Sequence, residues 1–112
     1  MKITHEDNGH VCVVNVEGDL TEDFVTDLDR FVTEKVDENI RDFVLNLAET
    51  EYLDSKGLET LLAIQDRCSE QLGQIRLAGL NESVREILRI TRLSQRFEQH
   101  DDVDQAMRSL HL

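Results

Sequence analysis

The chain has 112 residues and carries 12 Lys plus Arg against 24 Asp plus Glu, a formal net charge of −12. That length suits one compact domain with a single modest core. That charge argues against nucleic acid and anionic membrane surfaces as partners, since both call for a basic footprint, and points to a protein partner with a basic or mixed groove.

The first element is a short strand near Lys2–Glu6, joined by an Asn8-Gly9 turn to a second strand over Val11–Glu17, because both turn residues accept positive φ. Cys12, Val14 and Val16 alternate with Val11, Val13 and Asn15. Apolar residues on both faces predict a central strand. Gly18-Asp19 ends it. Thr21 then reads as an N-cap, with Glu22 and Asp23 in the first turn. Val25, Leu28, Val32 and Val36 recur at helical spacing, flanked by Phe24 and Phe31, until Asp37-Glu38-Asn39 breaks the pattern.

A third strand is predicted over Asp42–Leu47. A second helix carries Leu58, Leu61, Leu62, Cys68 and Leu72 and is closed by Gly73 as C-cap. A fourth strand, Ile75–Leu80, precedes Asn81, which can cap a third helix with Val84, Ile87 and Leu88 on its apolar face. A short fifth strand near Gln95–Glu98 and a last helix over Val103–Leu110 complete the order β-β-α-β-α-β-α-β-α. That alternation predicts an α/β fold with a mixed sheet and packed helices. Whether the helices share one side of the sheet or split around it is not set by periodicity.

No proline, Gly/Ser tract or internal repeat divides the sequence, so a single domain is placed over residues 1–112. Apolar runs fall short of the roughly 18 residues a membrane helix needs, and the N-terminus has no apolar signal core. A cytoplasmic protein without membrane insertion is expected. Cys12 and Cys68 both read as small core residues in a reducing compartment. The histidines, His5, His10, His100 and His111, show no metal spacing, and no metal or cofactor is expected. The acidity is uneven. Residues 1–60 hold 5 basic and 16 acidic residues, and residues 61–112 hold 7 and 8. The first half supplies most of the field, either for solubility or as a docking face.

Asp54-Ser55-Lys56-Gly57-Leu58 stands where the third strand gives way to the second helix. A hydroxyl there is exposed and faces the positive end of the helix dipole. Ser55 can therefore cap the helix, hold an anion or carry a phosphoryl group. Asp54 either orients the loop or caps the helix. Gly57 near a helix start costs stability relative to Ala, which suggests a close approach by a neighbouring loop or by a partner. Lys56 is a solvated cation or a partner contact. Leu53-Asp54-Ser55-Lys56-Gly57 is half of a nucleophile elbow, but the first glycine is replaced by Leu53, the chain is far shorter than a hydrolase of that type, and no His and acid stand in an obvious triad order, so an enzyme is not expected. Arg85, Arg89, Arg92 and Arg96 form a near-helical stripe, read as a solvated face pairing with Glu82 and Glu86 or as a contact for an acidic partner.

With the element order and this motif in view, the chain resembles the STAS domain family of bacterial anti-sigma factor antagonists. The resemblance rests on Gly18-Asp19-Leu20-Thr21 after the second strand, Leu45-Asn46-Leu47 in the third, Asp54-Ser55-Lys56-Gly57-Leu58, and Val84-x-x-Ile87-Leu88 with Leu93 and Phe97. It implies that Ser55 is phosphorylated by a partner serine kinase that is also the anti-sigma factor, of the histidine-kinase-like ATPase fold. The unphosphorylated domain would sequester that kinase, and a phosphatase would reset the switch. It further implies a partner-binding surface of Asp54, Ser55, Lys56, Gly57, Asp19, Thr21 and Asp23. The alternative it leaves is a STAS subunit of a larger complex, such as a lipid or anion transport system, without phosphorylation. Two positions depart from the family pattern: Lys56 replaces a second small hydroxyl residue, and Thr21 replaces an acidic one.

Overall fold

A computed structural model describes residues 2–110. Five strands, β1 (Lys2–Asn8), β2 (Val11–Glu17), β3 (Asp42–Glu49), β4 (Ile75–Ala78) and β5 (Glu98–His100), form one sheet in the order β1-β2-β3-β4-β5. β1 and β2 are antiparallel, and the remaining neighbours are parallel. The helices are α1 (Glu22–Asp37), α2 (Ser55–Glu70), α3 (Glu82–Ile90) and α4 (Val103–Leu110), with a short 3-10 turn at Ser94–Arg96.

The strand order explains where the helices lie. From β2 to β5 each new parallel strand is added on the same side of the last. Right-handed crossovers that march in one direction put their helices on one face. Accordingly α1, α2 and α3 pack on Cys12, Val14, Val16, Phe43, Leu45, Leu47 and Leu77. α4 is no crossover and covers the other face, where Ala106 meets Val11, Val13, Val44 and Ala78. β2 and β3 are thus apolar on both sides, as the sequence pattern of β2 predicts.

Several boundaries differ from expectation. The hairpin turn is Gly9-His10, because Asn8 still pairs with Val11 in the ladder. The buried stripe of α1 runs through Phe24, Leu28 and Val32, and Val25 and Val36 lie half-buried at its margins. The next residue of that stripe is Lys35. Its side chain is 9% exposed, and its ammonium lies 2.9 Å from Asp7 on β1 and 3.5 Å from Glu38. The Lys35 hydrogen bond holds the Asp7 carboxyl below the usual range, so the pair pins the edge strand to α1.

Gly73 is not the left-handed residue after α2. Leu72 takes that conformation, with φ 61°. Gly73 is needed for room, since a Cβ there would lie 1.9 Å from the Arg41 carbonyl oxygen. The fifth strand is shifted to Glu98–His100, because Phe97 drops into the core ahead of it. Both cysteines are buried. Burial pushes the Cys12 thiol up to about 12 and the Cys68 thiol up to about 11, so both behave as core residues.

Candidate functional site

The Asp54 motif lies at the carboxyl ends of the parallel strands, where two loops meet. One joins β2 to α1 and the other joins β3 to α2. A register shift interrupts the β2–β3 ladder between Asn15 and Glu17, and pairing resumes at Glu17 and Glu49. The loops then run side by side as a small extension of the sheet. The Gly18 amide donates to Glu49 O (3.1 Å), the Leu20 amide to Tyr52 O (3.0 Å) and the Asp54 amide to Leu20 O (3.2 Å). Leu20 and Leu53 pair as an isolated parallel bridge and are both buried. Thr50, also buried, donates its hydroxyl to Gly18 O (2.9 Å) and Val16 O (3.2 Å). Asn81 Nδ2 donates to Thr50 O (2.8 Å) while Asn81 Oδ1 caps α3 at the Val84 amide (3.0 Å).

Asp54 joins the two loops electrostatically. Its Oδ1 accepts from the Gly57 amide (2.9 Å), which caps α2. Its Oδ2 accepts from the Glu22 amide (3.0 Å), the first residue of α1. One carboxylate therefore serves two positive helix ends. The Gly57 amide above all holds this carboxyl below the usual range; burial opposes it, and the amides of Glu22 and Lys56 add smaller lowering contributions. Thr21, the residue placed to cap α1, makes no side-chain cap bond. Its role is taken by Asp54 from across the gap.

Gly57 is buried beneath the other loop. A Cβ on it would stand 2.2 Å from Leu20 O, so the close approach is made by a neighbouring loop. Ser55 is the first residue of α2 and is exposed. Because Asp54 does the capping, the Ser55 hydroxyl is free of that task. Lys56 is exposed and pairs with Glu59 at 3.4 Å. Asp19 lies on the adjoining loop, and its Oδ1 accepts from the Glu51 amide (3.1 Å). Asp23 is exposed in the first turn of α1. The seven residues singled out from the sequence are thus gathered on two adjoining loops and helix starts.

A family model for the STAS domain matches residues 2–106. The chain belongs to the STAS domain family. Among curated relatives, a STAS-domain containing protein of Pseudomonas aeruginosa is 38% identical over 58 residues, a match that spans 52% of this chain and 57% of that protein. Among solved structures, a candidate anti-sigma factor antagonist of Thermotoga maritima superposes with a TM-score of 0.92 at 20% identity, over 98% of this chain and 95% of that one. The unphosphorylated form of the anti-sigma factor antagonist SpoIIAA gives 0.85 at 14% identity, over 98% and 96%. A sulfate transporter family protein of Wolinella succinogenes gives 0.77 at 18% identity, over 88% and 83%. At these identities the structural likeness establishes the fold.

Two residues of this STAS domain's loop pair carry no signal in the sequence reading. Thr50 is a buried hydroxyl whose partners are 32 and 34 residues away, so no local pattern marks it. Tyr52 is the chain's one tyrosine and is 51% exposed beside the motif. Its polar, aromatic side chain is of the kind enriched in protein interfaces. The arginine stripe differs from expectation in one pairing: Arg89 does pair with Glu86, but Arg85 reaches Asp101 (3.4 Å) rather than Glu82. Among the described residues no cluster of His, Cys, Asp and Glu suits a metal ion, and no helix is long and apolar enough to cross a membrane. His111 lies outside the described residues.

Proposed function

We propose that this STAS domain is an anti-sigma factor antagonist that works as a binding switch. Its unphosphorylated surface, built from Asp54 to Lys56 with Asp19, Thr21 and Asp23, holds an anti-sigma factor that is also a serine kinase of the histidine-kinase-like ATPase fold. Phosphorylation of Ser55 ends the contact, and a phosphatase restores it. The observation that carries this reading is the division of labour at the start of α2. Asp54 caps the helix, so Ser55 stands exposed with a hydroxyl not engaged in capping.

The electrostatics support a switch. A phosphate brings about −1.5 to −2 charges at neutral pH. It would arrive on a surface that already holds Asp54, Glu51 and Asp19, while the nearest cation in sequence, Lys56, is engaged by Glu59. Partner groups placed for a small neutral hydroxyl would meet like charge and a new demand for solvation. The same geometry speaks against Ser55 as a catalytic nucleophile. Asp54, its immediate neighbour, commits both oxygens to amides and is a weak base.

The test begins with co-purification from the native host, followed by incubation of the captured kinase with ATP and the full chain. Phosphate on Ser55, absent in Ser55→Ala, is the expected result. A stable complex that never transfers phosphate, particularly one containing transport components, would overturn the switch in favour of a constitutive STAS subunit. Turnover of activated esters by the chain alone would overturn both.

A further inference from the structure

The arginine stripe has no part in the Ser55 switch. Between residues 85 and 96 the chain holds four arginines and one carboxylate, Glu86, within a protein of net charge −12. α2 and α3 both start at the Ser55 end of the sheet and run to the opposite end. Leu72, just after α2, and Ile90 and Arg92, at the close of α3, therefore lie at that same far end. Two clefts flank the Ser94–Arg96 turn there. One, of about 350 Å³, is lined by Arg89, Arg92, Ser94 and Gln95. The other, of about 230 Å³, is lined in part by Arg96 and by Arg76, which pairs with Glu98 of the same lining (3.2 Å).

Three details make this end unusual. Leu72 is 89% exposed and Ile90 63% exposed. Leu72 and Arg92 are non-glycine residues held at positive φ, 61° and 63°, a conformation that costs a branched or long side chain energy. In Leu72 that cost is met by a side chain that packs on almost nothing within the domain. Arg92 and Arg96 have no carboxylate partner among the described residues, and Arg96 reaches only the neutral Gln65 (3.4 Å).

We propose that this end is a second docking surface, and that its occupant is an acidic segment of another protein carrying aliphatic side chains. Carboxylates of that segment would take the guanidinium forks of Arg92 and Arg96, which suit planar bidentate pairing. Its aliphatic groups would cover Ile90 and Leu72. Charge complementarity selects this occupant, since the stretch is locally basic where the rest of the surface would repel an acidic chain. An anionic membrane fits less well, because it would repel the domain as a whole. The domain is then held at one end while the Ser55 end binds and releases, and the proposal does not depend on Ser55 being phosphorylated.

The test uses the full chain and a short fluorescein-labelled peptide alternating glutamate and leucine, followed by anisotropy at low salt. Binding is expected, and the double charge reversal Arg92→Glu, Arg96→Glu should weaken it by about tenfold or more. Ser55→Asp should leave it unchanged. Leu72→Gly should raise Tm by roughly 2–6 °C by relieving the left-handed backbone, yet lower peptide affinity. A gain in stability with a loss in affinity cannot arise from a damaged fold. Failure of the peptide to bind, or equal binding by wild type and the charge-reversed variant, would overturn the proposal. So would sedimentation with phosphatidylserine vesicles that the reversal abolishes while peptide binding persists.

Discussion

The two ends of the sheet are built in opposite ways. At the carboxyl ends of the strands the chain turns its hydrogen-bonding groups on itself. Two loops share three backbone bonds, a buried threonine and a carboxylate that caps two helices. At the other end, helices finish on exposed Leu72 and Ile90, with three side-chain-bearing residues, Asn39, Leu72 and Arg92, in left-handed backbone and guanidinium groups facing water. One end is tied by its own hydrogen bonds and acidic, the other locally strained, with Arg92 and Arg96 lacking carboxylate partners among the described residues. A rigid scaffold under one exposed hydroxyl suits a surface whose affinity is to change by charge alone, with no need for the backbone to move. Exposed aliphatic groups and open cations suit a surface completed by something else.

The contrast can be broken most forcefully at Gly57. Gly57→Ala puts a methyl against Leu20 O, and that carbonyl is held by Asp54. We expect a loss of about 1–3 kcal/mol in urea denaturation, even though Ala favours the helix, together with loss of partner binding. A variant as stable as wild type would show that the loops are free to part. Next in size is Ser55→Asp or Ser55→Glu, which should weaken partner binding by more than about tenfold, while Ser55→Ala preserves it. Calorimetric titration separates the three, and equal affinities would reduce Ser55 to a surface residue.

Asp54 should come third. Asp54→Ala uncaps α2 and removes the acceptor of the Glu22 amide, so Tm should fall by roughly 4–8 °C. The pH dependence follows from its lowered pKa. A carboxyl held below its unfolded value contributes stability that is present above the unfolded pKa and lost as pH falls through the folded one. Wild type should therefore lose stability on acidification below about pH 4 more steeply than Asp54→Asn, as urea midpoints across that range would reveal. The smallest effect belongs to Lys56. A cation in the first turn opposes the dipole by roughly 0.3–1 kcal/mol, and its exposed pair with Glu59 returns part of that. Lys56→Ser should raise Tm slightly and alter the ranking of related kinases that act on Ser55. Unchanged rates across a kinase panel would leave Lys56 a tolerated surface residue.

The element order was legible because each strand and helix has its own period. The Asp54 motif was legible because an acid, a hydroxyl and a glycine at a strand-to-helix junction are each costly or informative there. What could not be read were effects that act across space. Asp54 and Glu22 are 32 residues apart, so nothing in either segment announces that one caps the other, and Thr21 took the role by default. Lys35 falls on the buried face of α1, where its type argues for solvent, because Asp7 on another element receives it. Leu72, expected on the apolar face of α2, takes the left-handed position expected of Gly73, because the constraint on Gly73 comes from Arg41, not from the helix it follows. Phe97 reads as a strand residue and is a core residue that precedes one.

The lone helix on the second face has a consequence for how the domain opens. α4 has eight residues; Ala106 is its one fully buried side chain, and Val103, Met107 and Leu110 pack beside it half-buried. Asp102 caps it through the Gln105 amide (2.8 Å), and Ser109 ties it to Arg76 (2.9 Å). So little apolar contact predicts a unit that detaches well below the free energy of global unfolding. Native-state amide exchange should show the α4 amides turning over first, with β2 and β3 protected until the whole domain opens. Each such excursion uncovers Val11, Val13 and Val44, a β-branched strip on the two central strands. Colloidal behaviour of the folded protein, rather than its melting point, is where a weakened α4 would first be felt.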